Sequence, residues 1–240
     1  MGQGIQQAPV EQGGGSNPAL DVFKVLFEPT AVFDRVRERP KFLVPYLVLC
    51  AINIVVFFVN LPILKVALKA QAAQAPAGGP DPSKFAPFFA IGIPIGLAIA
   101  FLIGALVLWV LVSVVGGEGK FGTLLSVATY ASVPSVVVFA IVGAIVLHLQ
   151  GTSQITSPQD MQPALGLDLL APGAKGFIGA VLKGINPFSI WGLVLTAVGV
   201  STTHRLSKGS GYTVATIAFV LGVLIGAAFT AMFAGRGGAG

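Results

Sequence analysis

The polar side chains that could do chemistry in this chain are few, and most of them gather near one proline. Five hydroxyl-bearing residues lie beside Pro134 in an otherwise apolar stretch, namely Ser126, Thr129, Tyr130, Ser132 and Ser135. Proline leaves a preceding backbone carbonyl without its helical hydrogen bond, and hydroxyls or water can satisfy that carbonyl. The cluster therefore predicts either a path for a small polar solute or contacts between packed helices, and both interpretations stay open.

Residues for catalysis or metal binding do not come together in the sequence. A nucleophile needs a nearby base, and a metal needs several Cys, His or carboxylate ligands. The chain offers one Cys and two His, Cys50, His148 and His204, which are far apart. Each His stands at the end of an apolar stretch, where an interfacial role is commoner than proton transfer. We therefore expect a protein that is not an enzyme and that holds neither a metal nor a cofactor.

Nucleotides and nucleic acids are also poor candidates for ligands. The Gly-Lys pair at Gly119 and Lys120 prompts comparison with a phosphate-binding loop, but that motif requires Gly where this chain has Val114. The 14 Lys and Arg exceed the 9 Asp and Glu by only five charges. Phosphate backbones are bound by clustered cations, so we expect no nucleic-acid partner.

The overall composition is that of an integral membrane protein. Charged residues make up 10% of the 240 residues, against a usual value of roughly 25%, and hydrophobic residues make up 55%. The mean hydropathy is +0.88. A soluble domain needs a polar exterior that this composition cannot supply.

Five tracts without Asp, Glu, Lys or Arg are long enough to cross a bilayer, since a helix needs about 20 residues to do so. They predict an all-α bundle of five transmembrane helices within residues 21–235, preceded by a disordered tail, 1–20, and followed by a short tail, 236–240. The predicted spans are 42–64, 86–115, 124–149, 187–203 and 212–234.

Lys and Arg near span ends predict the orientation, because they favour the cytoplasmic side. With the amino terminus inside, eight of them fall on inner segments: Lys24, Arg35, Arg37, Arg39, Lys41, Lys120, Arg205 and Lys208. Six fall outside: Lys65, Lys69, Lys84, Lys175, Lys183 and Arg236. We therefore expect a cytoplasmic amino terminus and an external carboxyl terminus.

An amphipathic helix is predicted between Pro29 and Pro40, because proline suits a first helical turn and stops a helix. Val32, Phe33 and Val36 share one face of it. Cations beside an apolar stripe favour a helix lying on an anionic leaflet, and the predicted interfacial residues are Phe33, Arg35, Arg37, Arg39 and Lys41. The alternative is a helix packed on the loops of its own bundle.

A second amphipathic segment covers 177–185, where apolar residues recur at helical spacing before Asn186 and Pro187. It predicts either an interfacial helix or the bent first turns of the fourth span. Gly92 with Gly96, and Gly222 with Gly226, are small residues four apart that allow close helix contacts, including those of a homo-oligomer.

Three stretches resemble the Yip family, the Ypt-interacting membrane proteins. The run FEPTAVFDRVRERPKFLVP from Phe27 to Pro45 resembles the family's Pro-started amphipathic helix that leads into the first span. Gly119–Thr123 with Tyr130 and Pro134 resembles its third span, and Asn186–Trp191 its fourth. The matching positions are Glu28, Pro29, Pro40, Lys120, Tyr130, Pro134, Asn186, Pro187 and Trp191.

The resemblance implies five spans with a cytosolic amino terminus. Eukaryotic relatives are understood to interact with prenylated Rab GTPases, but the short tail here has no acidic or aromatic docking stretch, and the Gly- and Ala-rich composition resembles bacterial members. We therefore expect a bacterial plasma-membrane protein. Its expected function is that of a non-enzymatic scaffold or membrane-organising protein that contacts anionic inner-leaflet lipids, with other membrane proteins or a second copy as candidate further partners. The alternative is a small-solute permease that uses the polar third span.

Overall fold

The computed structural model describes residues 17–74, 81–153 and 155–234, and within them the chain forms helices and loops without a strand. The α-helices are α1 (Pro18–Lys24), α2 (Pro29–Glu38), α3 (Leu43–Ala72), α4 (Gly92–Val114), α5 (Phe121–Ala131), α6 (Phe139–Gln150), α7 (Gly176–Gly184), α8 (Pro187–His204) and α9 (Lys208–Ala234). Short 3₁₀ turns cover Pro82–Lys84, Ala86–Ile91, Pro158–Met161 and Leu167–Leu170, and a π turn at Pro134–Val138 joins α5 to α6.

Four helical stretches of the described chain are long and apolar enough to cross a membrane: Leu43–Ala72, Ala86–Val114, Phe121–Gln150 and Lys208–Met232. The pair α7 and α8, bent by 60°, adds a fifth if it is counted as one span. The prediction of an all-α polytopic membrane fold is confirmed. The first spanning helix, α3, ends at Ala72, eight residues beyond its predicted end at 64. The prediction ended the span at the first charged residue, but the helix continues through Lys65 and Lys69.

Helix α1 begins inside the segment that was predicted to be disordered, so the boundary of that tail at residue 20 is wrong. The Asn17 side chain accepts a hydrogen bond of 3.1 Å from the Ala19 amide, and Pro18 takes the first turn. Val22 and Val25 are fully buried, which explains why so short a helix forms. The rest of the predicted tail, 1–16, and the carboxyl-terminal residues 235–240 lie outside the described residues.

Helices α1 and α2 cover one end of the bundle, and we call residues 17–39 the cap and that end the cap end. Here α2 packs on α8 and α5, while α1 packs on α3. The α4–α5 and α8–α9 loops also meet here, where the Lys120 amide donates to His204 Nε2 over 3.4 Å. The opposite end, which carries α7 and the loop 151–175, is the far end.

Most of the segment 177–185 forms helix α7, which is bent away from α8. Helix α7 is separated from α8 at Asn186, whose side chain accepts a 2.9 Å bond from the Ser189 amide while the Ser189 hydroxyl accepts from the Asn186 amide. This capping box starts α8 afresh with Pro187 in its first turn. The resulting bend lays α7 against α9.

Candidate functional site

The apolar stripe of α2 faces the bundle. Val32 and Phe33 are fully buried and Val36 nearly so. The Phe33 ring lies so close to α8 that a Cβ added to Gly199 would come within 2.9 Å of its Cζ atom. The prediction that Phe33 faces lipid is therefore wrong, and the alternative of a helix packed on its own bundle is the one observed, because glycine at 199 opens a notch that the ring fills.

Arg35 also turns inward, toward a buried carboxylate that its helix face did not reveal. Its Nη2 atom lies 2.6 Å from Asp21 Oδ1 and its Nε atom 3.1 Å from Oδ2, so the guanidinium binds the carboxylate with both donors. Asp21 is only 5% exposed. These hydrogen bonds raise the pKa of Arg35 above its ordinary value. Arg35 therefore joins α2 to α1 and is not the lipid-facing cation that was predicted.

Tyr130 of the third span lies beside the Asp21–Arg35 ion pair. It is nearly fully buried, and its hydroxyl donates to the Pro18 carbonyl over 3.3 Å. The hollow that Tyr130 shares with Asp21 and Arg35 has a volume of about 10 Å³, room for one water at most. Tyr130 therefore anchors the cap and does not line a solute path.

The other hydroxyls beside Pro134 are satisfied by backbone carbonyls. Ser126 donates to Gly122 O, Thr129 to Leu125 O and Ser132 to Thr129 O, over 3.0, 2.8 and 2.8 Å. Ser135 reaches across to Phe188 O of α8 over 3.4 Å. Three of the four bonds go to carbonyls of the preceding turn of the same helix, a pattern that is typical of a bent helix, and the π turn follows directly.

The remaining predicted interfacial cations stay on the surface of the cap end. Arg37 pairs with Asp34 over 3.2 Å and donates to the Thr202 carbonyl over 3.4 Å. Arg39 and Lys41 are exposed beside α1, on the rim of the hollow that holds Asp21. These three positions keep the exposure that contact with a leaflet requires.

An apolar surface lies on α1 and on the turn that follows it. Leu20, Phe23 and Phe27 are 53%, 48% and 82% exposed and point away from the buried side of the cap. Sequence reasoning did not group these three residues: their spacing of three and four residues was the available signal, but Leu20 fell within the predicted disordered tail and Phe23 outside any predicted helix. Phe42 and Leu43, at the start of α3, are also exposed, and α1 packs on α3. We call Leu20, Phe23 and Phe27 the wedge.

The positions that resemble the family motif mostly begin or end helices. Glu28 and Pro29 start α2, Pro40 follows its end, and Lys120 precedes α5. Asn186 and Pro187 start α8, and Trp191 stands half-exposed on it. Their roles in the described chain are architectural.

A lateral groove of about 810 Å³ opens between α4, the third span and α7 to α9. Its walls are apolar and carry no charged residue. Five hydroxyls border it, those of Ser132, Ser135, Ser189, Thr196 and Thr230. The groove does not include Tyr130.

Comparison with known proteins agrees with this architecture. The sequence profile of the Yip1 domain matches residues 23–230, which is most of the chain. The chain belongs to the Yip1 domain family. The match begins within α1 and ends within α9, so it includes nearly all of the cap as well as the membrane helices.

The chain is also similar to a bacterial protein. It is 29% identical over 228 residues to "Membrane protein YknW" of Bacillus subtilis (strain 168), an alignment that covers 90% of this chain and 92% of that protein. No solved structure matches the chain significantly. The family and this relative agree with the apolar helices in showing a Yip1 domain integral membrane protein.

Proposed function

We propose that this Yip1 domain protein is a non-enzymatic membrane-organising scaffold of the bacterial plasma membrane whose cap rests on the anionic inner leaflet. In this proposal the cap end faces the cytoplasm and the carboxyl terminus lies outside. The observation that carries the proposal is the wedge, an apolar surface at the level where the helices leave the lipid. Exposed aromatic side chains at that level favour the headgroup and acyl boundary.

The charges around the wedge complement an anionic surface. Lys24, Arg39 and Lys41 are exposed on or beside α1. A juxtamembrane cation near anionic lipid contributes about 1 kcal/mol, and burying one Phe or Leu side chain contributes about 1.5–3 kcal/mol. Both effects favour the same placement of α1.

The contacts that attach the cap to the spanning helices support an organising role. Because α2 is fixed by Phe33 and α1 by the Asp21–Arg35 ion pair, the wedge is held in one position relative to the spans. A rigidly held apolar surface contacts lipid at a fixed position beside the spans. A flexibly tethered helix would bind the membrane and detach from it. Anionic lipids should therefore gather around the cap end.

A permease is less well supported. Alternating access needs a polar site that reaches both sides of the bilayer. The cap half of the bundle is filled by fully buried residues such as Leu124, Val127 and Val200, and the hollow at Tyr130 is about 10 Å³. The packing near the cap therefore favours the scaffold over the transporter.

The lipid-gathering prediction is tested by energy transfer from labelled protein to labelled lipid in vesicles. We expect more transfer to phosphatidylglycerol than to phosphatidylcholine, and loss of that preference when Lys24, Arg39 and Lys41 are all changed to Gln. The matched control changes three exposed far-end residues, Lys65, Lys69 and Lys84, to Gln. Equal transfer to both lipids with the unaltered protein, or equal loss in both variants, would refute the role of the cap.

The position of the wedge is tested separately with spin labels. Cysteines replace Phe23 or Phe27 in a Cys50→Ala background, and Glu38, exposed on α2, supplies the control position. We expect labels at 23 and 27 to be more accessible to oxygen than to a water-soluble nickel chelate, and the reverse at 38. A wedge that lies in water would show the pattern of position 38 at all three sites.

A further inference from the structure

The lateral groove has no role in the proposed scaffold, and its lining identifies the kind of ligand that fits. We propose that it binds an acyl chain of a membrane phospholipid whose phosphate lies at Lys183. The groove lies within the spanning helices of an integral membrane protein, so hydrocarbon is the medium at its mouth.

The mouth of the groove is continuous with the lipid-facing surface. Ile99 and Ile103 on α4, and Ile225 on α9, border the groove and are each about half exposed. These residues lie in the far half of their helices or near the middle. A lipid chain beside the protein can therefore enter sideways without crossing a polar boundary.

The polar atoms in the groove are already used. All five of its hydroxyls donate to backbone carbonyls: Ser132 to Thr129, Ser135 to Phe188, Ser189 to Asn186, Thr196 to Gly192 and Thr230 to Gly226. No hydroxyl proton is left for a polar solute, and the rest of the lining is apolar. Such a surface favours a hydrocarbon chain over water or a hydrophilic substrate.

The groove is long enough for an acyl chain. On α9 the lining runs from Ala215 to Thr230, which at 1.5 Å per residue is about 22 Å. An extended acyl chain spans about 15 Å, half the hydrocarbon thickness, within one leaflet, so it fits along this length.

A cation stands where the headgroup of such a lipid would lie. Lys183 is exposed on α7, next to Gly184 and one turn from Ala180, both of which line the groove. A Lys ammonium at an interface can extend to a phosphate while its stem covers apolar surface. This placement favours a phospholipid over a neutral lipid.

The proposal is tested with substitutions that place larger side chains in the groove. Gly222 and Gly226 border it, and a Cβ on either would meet nothing within 4 Å, so a Leu side chain at either position starts in open space and extends into the groove. Gly92 and Gly96 on α4 are equally open but lie outside the lining and supply the matched control. Leu also has higher helix propensity than Gly, so neither double variant should unfold.

The probe is phosphatidylglycerol with a photoactivatable diazirine on one acyl tail, incorporated into vesicles with the full chain. We expect cross-links to the α9 segment 215–230, reduced by at least about tenfold in G222L/G226L because the space is filled, and unchanged in G92L/G96L. Native mass spectrometry should show a retained phospholipid that the groove-filled variant loses. Cross-links of equal strength in all three proteins would overturn the proposal.

Two further arms separate the headgroup and the second copy. Lys183→Gln should lower phospholipid cross-linking severalfold but leave that of a diacylglycerol probe unchanged, while Lys175→Gln, also on the far side, should alter neither. If G222L/G226L instead dissociates a dimer and lipid cross-linking persists, the groove is an interface between copies and the proposal is wrong.

Discussion

Glycine packs in opposite ways at two places in the bundle, one near the cap end and one in the far half. At the cap end Gly199 faces Phe33 and Val127 so closely that an added Cβ would lie 2.7 Å from the Val127 side chain. In the far half Gly222 and Gly226 face open space. The same residue type therefore closes a contact at one end and opens a groove at the other.

This difference teaches where the stability of the protein resides. The cap lies outside the spanning helices, where water makes apolar burial favourable, so filling the Gly199 notch with an aromatic ring stabilises it. Within the bilayer, lipid tails are as apolar as the side chains, and a groove that lipid can fill costs little. We expect substitutions at the cap end to change the free energy of unfolding and those in the groove to change binding.

The largest effect is expected for Phe33→Ala. The ring is fully buried between α2 and α8, and truncating such a side chain costs about 3–5 kcal/mol. The free energy of unfolding, measured by denaturant titration in detergent micelles, should fall by that amount. Phe88→Ala, which removes a ring that is 64% exposed toward the far end, should change it by less than about 0.5 kcal/mol. Equal losses would contradict the difference between the ends.

A second prediction concerns the ion pair that joins α1 to α2. Arg35→Ala leaves the Asp21 carboxylate buried without its cation, which costs about 3–5 kcal/mol in a deep interior, and about 2 kcal/mol here because Arg35 is one-third exposed. Proteolysis within the cap should accelerate. Adding Asp21→Asn should restore part of the loss, whereas Arg37→Ala, at an exposed pair, should cost about 0.5 kcal/mol or less. A cap that resists proteolysis equally in both single variants would contradict this assignment.

The sharpest comparison of the two ends uses one substitution in two places. Gly199→Ala should lower the free energy of unfolding by about 1–2 kcal/mol, because overpacking against Phe33 and Val127 outweighs the gain in helix propensity. Gly222→Ala should raise it by up to about 1 kcal/mol, since nothing opposes that gain. Thermal unfolding in one detergent measures both, and shifts of the same sign would remove the distinction.

Much of the fold was predictable because crossing a bilayer imposes a simple rule on composition. The charge-free tracts coincide with the four long apolar helical stretches of the described chain and with α8 of the bent pair, and Pro29 and Pro40 bracketed α2 correctly, since backbone chemistry alone fixes such boundaries. The end of α3 was misplaced because a helix can continue past the lipid with Lys65 and Lys69 on its surface. The positions of charged residues therefore predict where the apolar tract ends, but not where the helix ends.

The direction of the α2 stripe was not predictable from α2 itself. An amphipathic helix has the same sequence pattern whether its apolar face contacts lipid or protein. Residues distant in sequence determine which of the two it contacts. Gly199, which receives Phe33, is far away in sequence, and Asp21, which binds Arg35, lies just after the predicted tail in a stretch for which no helix was predicted. Tyr130 was identified by its polarity, but its bond to the Pro18 carbonyl depends on a helix that the composition of the tail concealed.

The smallest predicted effect is confined to the far-end loop and tests whether that end responds locally. Asp160 accepts hydrogen bonds from the Thr156 and Ser157 amides over 2.9 Å each, and these bonds, chiefly that from Thr156, lower its pKa. A lowered pKa in the folded state means that the stabilisation is complete above the ordinary value of about 3.9 and is lost as the pH falls through the lowered one. Hydrogen exchange of these two amides, relative to their intrinsic rates, should therefore accelerate only in strong acid.

The same measurement with Asp160→Asn should show faster exchange at every pH above the lowered pKa of Asp160, because the charged acceptor is gone. Cap-end amides should be unaffected by that substitution, since the loop contacts the far ends of the helices. If the Asp160→Asn variant loosened the cap as well, the two ends would form one cooperative unit and the separation of stability from binding would fail.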